Sequence, residues 1–333
     1  MTEVKGLNFV PQDRGAAVMA PLMALIEGLR AGLIGHHDLV ERLMIALLTG
    51  GHVLIEGPPG LAKTRAVKLL ASGLSGSFAR VQCTPDLMPS DITGTQIYHP
   101  DSGSFSFREG PLFHNLVLVD EINRAPPKVQ SALLEAMAER QVTGGGESRA
   151  LPDPFLVIAT QNPIENEGTF PLPEAQLDRF LLQVNLELPD LAAERAILDL
   201  VESEGAGAIA PATAAPLSPA QLQEARGFIR EVHLAPALRD FIARLVVATR
   251  QTEEGPLAGL VGHAVSPRGS LALAAAARAR AALRGRDHAL PEDVEALAAD
   301  ALGHRLLPSW RATSEGLGGR ALIARLLAHV RPW

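Results

Sequence analysis

The run His52-Val53-Leu54-Ile55-Glu56 passes directly into Gly57-Pro58-Pro59-Gly60-Leu61-Ala62-Lys63-Thr64. A short apolar run bounded by Gly and Pro reads as a buried strand feeding a tight loop, and the apolar periodicity from Ala62 to Leu74 reads as a helix. The loop fits the phosphate-binding pattern G-x-x-x-x-G-K-[ST] at all positions but one, where Ala62 replaces the second glycine. Such a loop works through its backbone N–H groups, which wrap phosphates, and through the dipole of the helix that follows. Lys63 is placed to reach the β- and γ-phosphates of ATP, and Thr64 to ligate Mg2+. Gly57, Pro58, Pro59, Gly60, Leu61, Ala62, Lys63 and Thr64, with Arg65 after them, are the candidate nucleotide contacts. A plain Gly-Pro turn carrying an exposed lysine is the competing reading.

A strand–loop–helix of this type belongs in an α/β sheet, and the rest of the chain supplies one. Strand signatures recur at 78–82, 116–119, 155–159 and 181–188, with a further helix over 127–140. Strands alternating with helices predict a five-stranded parallel sheet covered on both faces. After Pro189 the strands stop, and helices are expected at 190–203, 218–231, 235–251, 267–283, 291–306 and 316–330. Glu204 to Pro216 is Gly/Ala/Pro-rich and reads as a flexible loop. The expected organisation is a loose lead-in over 1–15, an α/β nucleotide-binding domain over 16–189 and a small all-helical lid over 190–333. Two hairpins, about 91–108 and 140–151, interrupt the α/β half without being needed to complete its sheet.

The second chemical feature is Asp120-Glu121 at the exit of the apolar run Leu116–Val119. Two adjacent carboxylates leaving a buried strand are costly unless charge awaits them. In an open α/β sheet, ligands sit at the carboxyl ends of the strands. Asp120 is placed to hold the magnesium shell, and Glu121 to activate water for attack on the γ-phosphate. At the exit of the next strand, Thr160-Gln161-Asn162-Pro163 sets an amide, Asn162, where it can orient that water or touch the γ-phosphate; Asn-Pro also favours turns. Three strand ends in order thus carry the polar groups a nucleotide hydrolase needs.

With these residues in place the chain resembles the AAA+ ATPases, and within them the MoxR family, across nearly its whole length. The resemblance rests on Gly57–Thr64, on Asp120-Glu121-Ile122-Asn123-Arg124-Ala125, and on Pro126-Pro127-Lys128-Val129-Gln130. It extends to Leu172-Pro173-Glu174-Ala175-Gln176-Leu177-Asp178-Arg179-Phe180 and Ser266-Pro267-Arg268-Gly269. Ala62, odd for a general phosphate loop, is usual in that family. The resemblance implies that Arg179 is an arginine finger entering a neighbouring subunit's site, where it stabilises transition-state charge. Without the resemblance, Arg179 reads as a surface arginine paired to Asp178 or Glu174. It further implies that Arg268 is the second-sensor arginine of the lid, among the nucleotide contacts. Ser266 and Pro267 read as an N-cap and first turn, so the cation of Arg268 opposes the helix dipole and calls for an anion nearby. Leu33, Ile34 and Gly35 are expected to line the adenine pocket, and the two hairpins match the levers that the family carries near a ring's central pore.

The function implied is a ring-forming, Mg2+-dependent ATPase, a hexamer, that remodels or activates a partner protein bearing a von Willebrand factor A domain. Three alternatives stay open: a nucleic-acid motor, a magnesium-chelatase-like motor subunit, and a nucleotide-gated scaffold with little turnover. Thirty basic against thirty-seven acidic residues, and 4 % aromatics, argue against a nucleic-acid grip. The single cysteine, Cys83, excludes an internal disulfide and fits a reducing cytoplasm. No stretch is expected to reach the roughly 18 apolar residues that span a bilayer. Ala16–Ile26, interrupted by Pro21 and followed by Glu27, reads as a core helix.

Overall fold

The computed structural model describes residues 12–144, 146–163, 168–204, 215–251 and 253–332. Helices α1 (Gln12–Gly32) and α2 (His37–Thr49) precede strand β1 (Val53–Glu56), followed by α3 (Lys63–Ser72) and β2 (Phe78–Gln82). A short helix α4 (Pro89–Thr93) leads into the hairpin β3 (Gly94–His99) and β4 (Ser104–Glu109), then β5 (Leu116–Asp120) and α5 (Pro127–Glu139). A second hairpin, β6 (Gln141–Gly144) and β7 (Glu147–Ala150), leads to β8 (Leu156–Gln161), α6 (Glu174–Leu177) and β9 (Leu182–Asn185). The remainder is α7 (Leu191–Glu204), α8 (Pro219–Glu231), α9 (Pro236–Ala248), β10 (Val261–His263), α10 (Pro267–Leu283), α11 (Pro291–Leu302), β11 (Leu307–Pro308), α12 (Trp310–Ser314) and α13 (Gly319–His329).

The main sheet has five strands in the order β2-β5-β8-β1-β9, every pair parallel. Its inner strand β5 is buried throughout, as expected where helices cover both faces. The two faces follow the period-2 alternation. Leu116, Leu118, Leu156, Ile158, Val53, Ile55, Leu182 and Val184 pack toward α1, α2, α3 and the C-terminal helices. Val117, Val119, Val157, Ala159 and Leu54 pack toward α5, Leu112 and Val142. Both hairpins form separate two-stranded sheets.

The C-terminal helices share one hydrophobic core with α1, α2 and α3. Helix α10 is rich in alanine, and Ala272, Ala276, Ala277, Ala279, Ala281 and Ala282 are all buried, which lets neighbouring backbones approach closely. Ion pairs built on buried carboxylates cross the same seam. Arg42 on α2 reaches Asp300 on α11 at 2.8 Å, and the buried Glu41 takes the half-exposed Arg284, just past the end of α10, at 3.0 Å. Asp300 also pairs with Arg320 of α13 at 2.6 Å, and Asp293 with Arg280 at 2.8 Å. Losing one member of such a group leaves a buried charge uncompensated, so the network holds the lid helices to α2.

Three expectations need correction. The chain is already helical from Gln12, four residues before the expected start of the α/β domain at 16; residues 1–11 of the lead-in and 205–214 of the expected loop lie outside the described residues. The C-terminal region is not purely helical, because β10 and β11 pair antiparallel. Such short strands leave too little alternation to read. Finally, Gly15–Gly32 within α1 is long and apolar enough to cross a membrane by length and composition. Its Leu22, Leu25, Ile26 and Leu29 are buried in the core shared with α2 and α3.

Candidate functional site

The loop after β1 turns through left-handed backbone at Gly60 (φ +87°) and at Ala62 (φ 52°, ψ 16°). Ala62 explains why a glycine is usual there: an L-residue in this region carries a steric cost of about 1–2 kcal/mol. Gly57 has a different reason, since a Cβ would sit 3.0 Å from the Leu186 carbonyl oxygen. The N-cap of α3 is Ala62, which offers no side-chain cap, so the first N–H groups of α3 face the loop without one. Lys63 Nζ donates to the Gly57 carbonyl at 2.7 Å and so lies across the loop. Backbone N–H donors, an uncapped helix start and one lysine fit the phosphates of a nucleotide; the Thr64 hydroxyl and the Asp120 carboxylate are hard oxygen donors of the kind Mg2+ takes.

Around this loop, Leu33 is buried, Ile34 half-buried, and Gly35 bends at φ +79° beside Ala193 of α7. Arg65 does not reach freely toward a phosphate: its Nε donates to the Gly32 carbonyl at 2.8 Å, tying α3 to the end of α1 next to Leu33. At the root of the loop, Gln183 donates to the Glu56 carboxylate. Burial raises the Glu56 pKa, opposed by that bond and by the charges of Arg320 and Lys63.

Asp120 is buried, and both its oxygens are engaged. Oδ2 accepts from Arg80 Nε at 2.7 Å and Oδ1 from the Thr160 hydroxyl at 3.2 Å. Glu121 sits in left-handed backbone (φ 56°, ψ 53°), which turns its side chain off the line of the strand. Its N–H donates to Thr160 Oγ1 at 2.9 Å, so one hydroxyl bridges the two acids. Glu121 Oε2 accepts from Gln82 Nε2 at 2.9 Å and from Arg124 at 3.3 Å. Asn162 is buried just past β8. The three strand ends β1, β5 and β8 therefore bring Gly57–Thr64, Asp120-Glu121 and Asn162 to the carboxyl edge of one sheet.

Arg179 and Arg268 stand elsewhere. Arg179 precedes β9 and donates to the Leu134 carbonyl at 2.6 Å; it pairs with neither Asp178 nor Glu174. The Leu181 N–H bonds the carbonyl of His52, the residue before β1, so this corner lies at the amino ends of the strands. Ser266 caps α10, its Oγ accepting from the Arg268 N–H at 3.2 Å. The anion that Arg268 calls for is Asp178, 3.7 Å away. The phosphate loop begins at the other end of β1, a strand of four residues, or roughly 13 Å at ~3.3 Å per residue. Arg268 thus lies beside Asp178 near Arg179, at the opposite end of β1 from Gly57–Thr64. Sequence distance could not show this, because the placement depends on which side of the sheet the lid packs.

Sequence reasoning also missed Arg80 and Gln82. Their spacing of two on β2, with Gln82 in register with Asp120, is the signal that places them beside the acids. Arg305 was missed as well. It is almost fully buried and binds Asp178 at 2.7 Å, and no local pattern announces it. His52 and Cys83 are buried. Burial lowers the His52 pKa to about 4, its ring taking the Val157 N–H at 3.0 Å, and raises the Cys83 thiol to about 12.

Comparison with known proteins agrees with this geometry. Residues 52–182 match the family described as "ATPase family associated with various cellular activities (AAA)", and residues 259–324 match the AAA lid domain. The chain is 44 % identical to Chaperone MoxR1 of Mycobacterium tuberculosis over 90 % of this chain and 78 % of that one. It is 33 % identical to Protein MoxR of Methylorubrum extorquens over 82 % and 84 % of the two chains. A crystal structure of a Cytophaga hutchinsonii protein assigned as an ATPase superposes with a TM-score of 0.87 at 39 % identity, covering 96 % of this chain and 97 % of that one. With the phosphate loop, paired acids and lid all accounted for, the chain belongs to the MoxR family of AAA+ ATPases.

Proposed function

We propose that this ATPase works as a ring of identical chains, six in number. With Mg2+ it hydrolyses ATP to ADP and phosphate to remodel or activate a partner protein in the cytoplasm. The observation that carries the reading is the separation of two half-sites. One end of the sheet holds Lys63, Thr64, Asp120, Glu121 and Asn162. The amino end holds two arginines, Arg179 and Arg268, around Asp178. A chain alone cannot bring Arg179 or Arg268 to its own γ-phosphate, but a neighbour in a ring can present both.

In this reading the loop amides and Lys63 bind the β- and γ-phosphates. Thr64 and Asp120 would hold Mg2+, which when bound screens phosphate charge. Glu121 takes the proton of the attacking water, and Asn162 orients that water. Gln82 and Arg124 hold the Glu121 carboxylate in position at 2.9 and 3.3 Å. Arg179 and Arg268 of the adjoining copy stabilise the charge that develops on the transferred phosphoryl group. The client is proposed to be a protein with a von Willebrand factor A domain, engaged near the two hairpins. The relative's name, Chaperone MoxR1, supports action on a protein partner.

The test follows from the split site. The ATPase rate per chain should rise with protein concentration as copies assemble. Glu121→Gln should keep ATP bound and stop turnover, because an amide keeps the shape but cannot accept the proton. A rate per chain that stays constant across dilution to monomer would rule out the shared site.

A further inference from the structure

A second polar cleft lies far from the phosphate loop, where the root of the second hairpin meets the lid. Its volume is about 540 Å3, and it opens between α8, α10 and the segment Leu151–Asp153. Four arginines line it: Arg140 at the end of α5, Arg226 and Arg230 on α8, and Arg278 on α10. Their one acidic companion in the lining is Asp153, whose Oδ1 takes Arg226 at 3.1 Å and whose Oδ2 takes the Gln223 amide. Arg226 spends its remaining donors on the Leu47 carbonyl, and Arg140 donates to the Gly50 carbonyl at 2.7 Å.

The other two guanidinium groups are differently placed. Arg230 uses only Nε, toward the Arg226 carbonyl at 3.3 Å, and Arg278 only Nε, toward the Val232 carbonyl at 3.1 Å. Among the described residues, the terminal nitrogens of both have no acceptor, and neither side chain has a carboxylate partner. Positive charge is in surplus here on a chain whose net charge is −7. The local strain is consistent with that surplus. Burial lowers the Arg226 pKa, and the neighbouring charges of Arg140 and Arg230 lower it further against the pull of Asp153. Arg278 is lowered by burial and by Arg239.

We propose that this cleft binds a small phosphate ester carrying two or more negative charges, with the terminal nitrogens of Arg230 and Arg278 as its principal donors. Guanidinium forks match phosphate oxygens bidentately. The volume is that of a small-molecule site, and Leu48, Leu151 and Ile229 supply apolar wall for the carbon part of the ester. The concave shape favours such a molecule over the acidic side chains of a protein, which approach more readily on an open face. Because Arg140 and Asp153 flank the hairpin while Arg230 and Arg278 belong to the lid, an occupant would tie the two together.

Isothermal titration tests this with fructose 1,6-bisphosphate as the probe. The whole chain is used, its phosphate loop kept saturated with a non-hydrolysable ATP analogue and Mg2+. One bisphosphate should bind per chain, more weakly as salt is raised, while fructose should not bind. Arg230→Ala with Arg278→Ala should weaken the bisphosphate at least tenfold. Arg230→Glu alone, at an exposed position, should do the same without disturbing the fold, and both variants should retain the wild-type ATPase rate. No binding at millimolar probe, or equal binding by wild type and both variants, would overturn the assignment. So would a tetraglutamate peptide that binds through Arg230 where the bisphosphate does not, since the cleft would then be a protein contact.

Discussion

Replacing Asp178 with asparagine perturbs the corner where the lid, β9 and the two arginines meet. Asp178 Oδ1 takes Arg305 Nε at 2.7 Å, and Oδ2 takes the Ser266 hydroxyl at 3.0 Å. Arg305 is buried to 3 % side-chain exposure and Asp178 to 18 %, so the charge is poorly screened. Removing one partner of a buried pair costs about 3–5 kcal/mol. Here Arg305 keeps the carbonyls of Ala301, Leu181, Asp178 and Phe180, and the amide still accepts one hydrogen bond, so about 2–3 kcal/mol is the reasoned loss. With a urea slope of at least ~3 kcal/mol/M for a chain of this size, the unfolding midpoint should fall by somewhat under ~1 M. Equilibrium urea unfolding, followed by circular dichroism, reads this directly. Glu315→Gln is the control, because its partner Arg311 is exposed and such pairs contribute about 0–1 kcal/mol. A midpoint for Asp178→Asn no lower than that of the control would refute the claim that this pair anchors the lid.

Lys63→Ala should abolish ATP binding, because it removes the lysine that lies across the phosphate loop at 2.7 Å from the Gly57 carbonyl; unchanged affinity in a nucleotide titration would remove the phosphate-loop reading. Ala62→Gly should relieve the left-handed strain at φ 52° and stabilise the fold by up to about 1 kcal/mol after the entropy of the extra glycine, with ATP binding retained; a destabilised variant would contradict that geometry. His52 and His304 are lowered by burial to about 4 and about 3. Below pH 6.5 the unfolded chain takes up protons that the fold refuses, so stability is lost as pH falls from about 6.5 toward 4, by on the order of 2 kcal/mol per histidine at pH 5. His52→Asn should reduce that drop in urea midpoints between pH 7 and pH 5, and an unchanged drop would mean that His52 is not held neutral.

The sheet and its loaded strand ends are legible because each signal is local: an apolar run, then glycine, then a lysine or acid, all within one element. The two hairpins are legible for the same reason, through Pro100–Gly103 and Gly144–Gly146 between alternating strands. What escapes local reading is long-range. The company of Arg268 is decided by the packing of α10 against the β9 corner, and Arg305 is recruited by a carboxylate 127 positions away. Arg80 and Gln82 become site residues only once β2 is known to lie beside β5. The apolar composition of α1 is likewise ambiguous until α2, α3 and α8 are seen to bury it.

The shared site is tested most directly by mixing two inactive chains. Arg179→Ala keeps Lys63 and Glu121 but offers its neighbour no finger, and its turnover should fall by ~10³-fold with ATP binding intact, the scale known for arginine fingers. Glu121→Gln keeps Arg179 and lacks the base. Co-assembled rings set an intact Arg179 against an intact Glu121 at some interfaces, so ATPase activity should return well above the sum of the two separate preparations. An Arg179→Ala chain that is fully active alone, or mixed rings of demonstrated composition that stay silent, would contradict a site completed by the neighbouring copy.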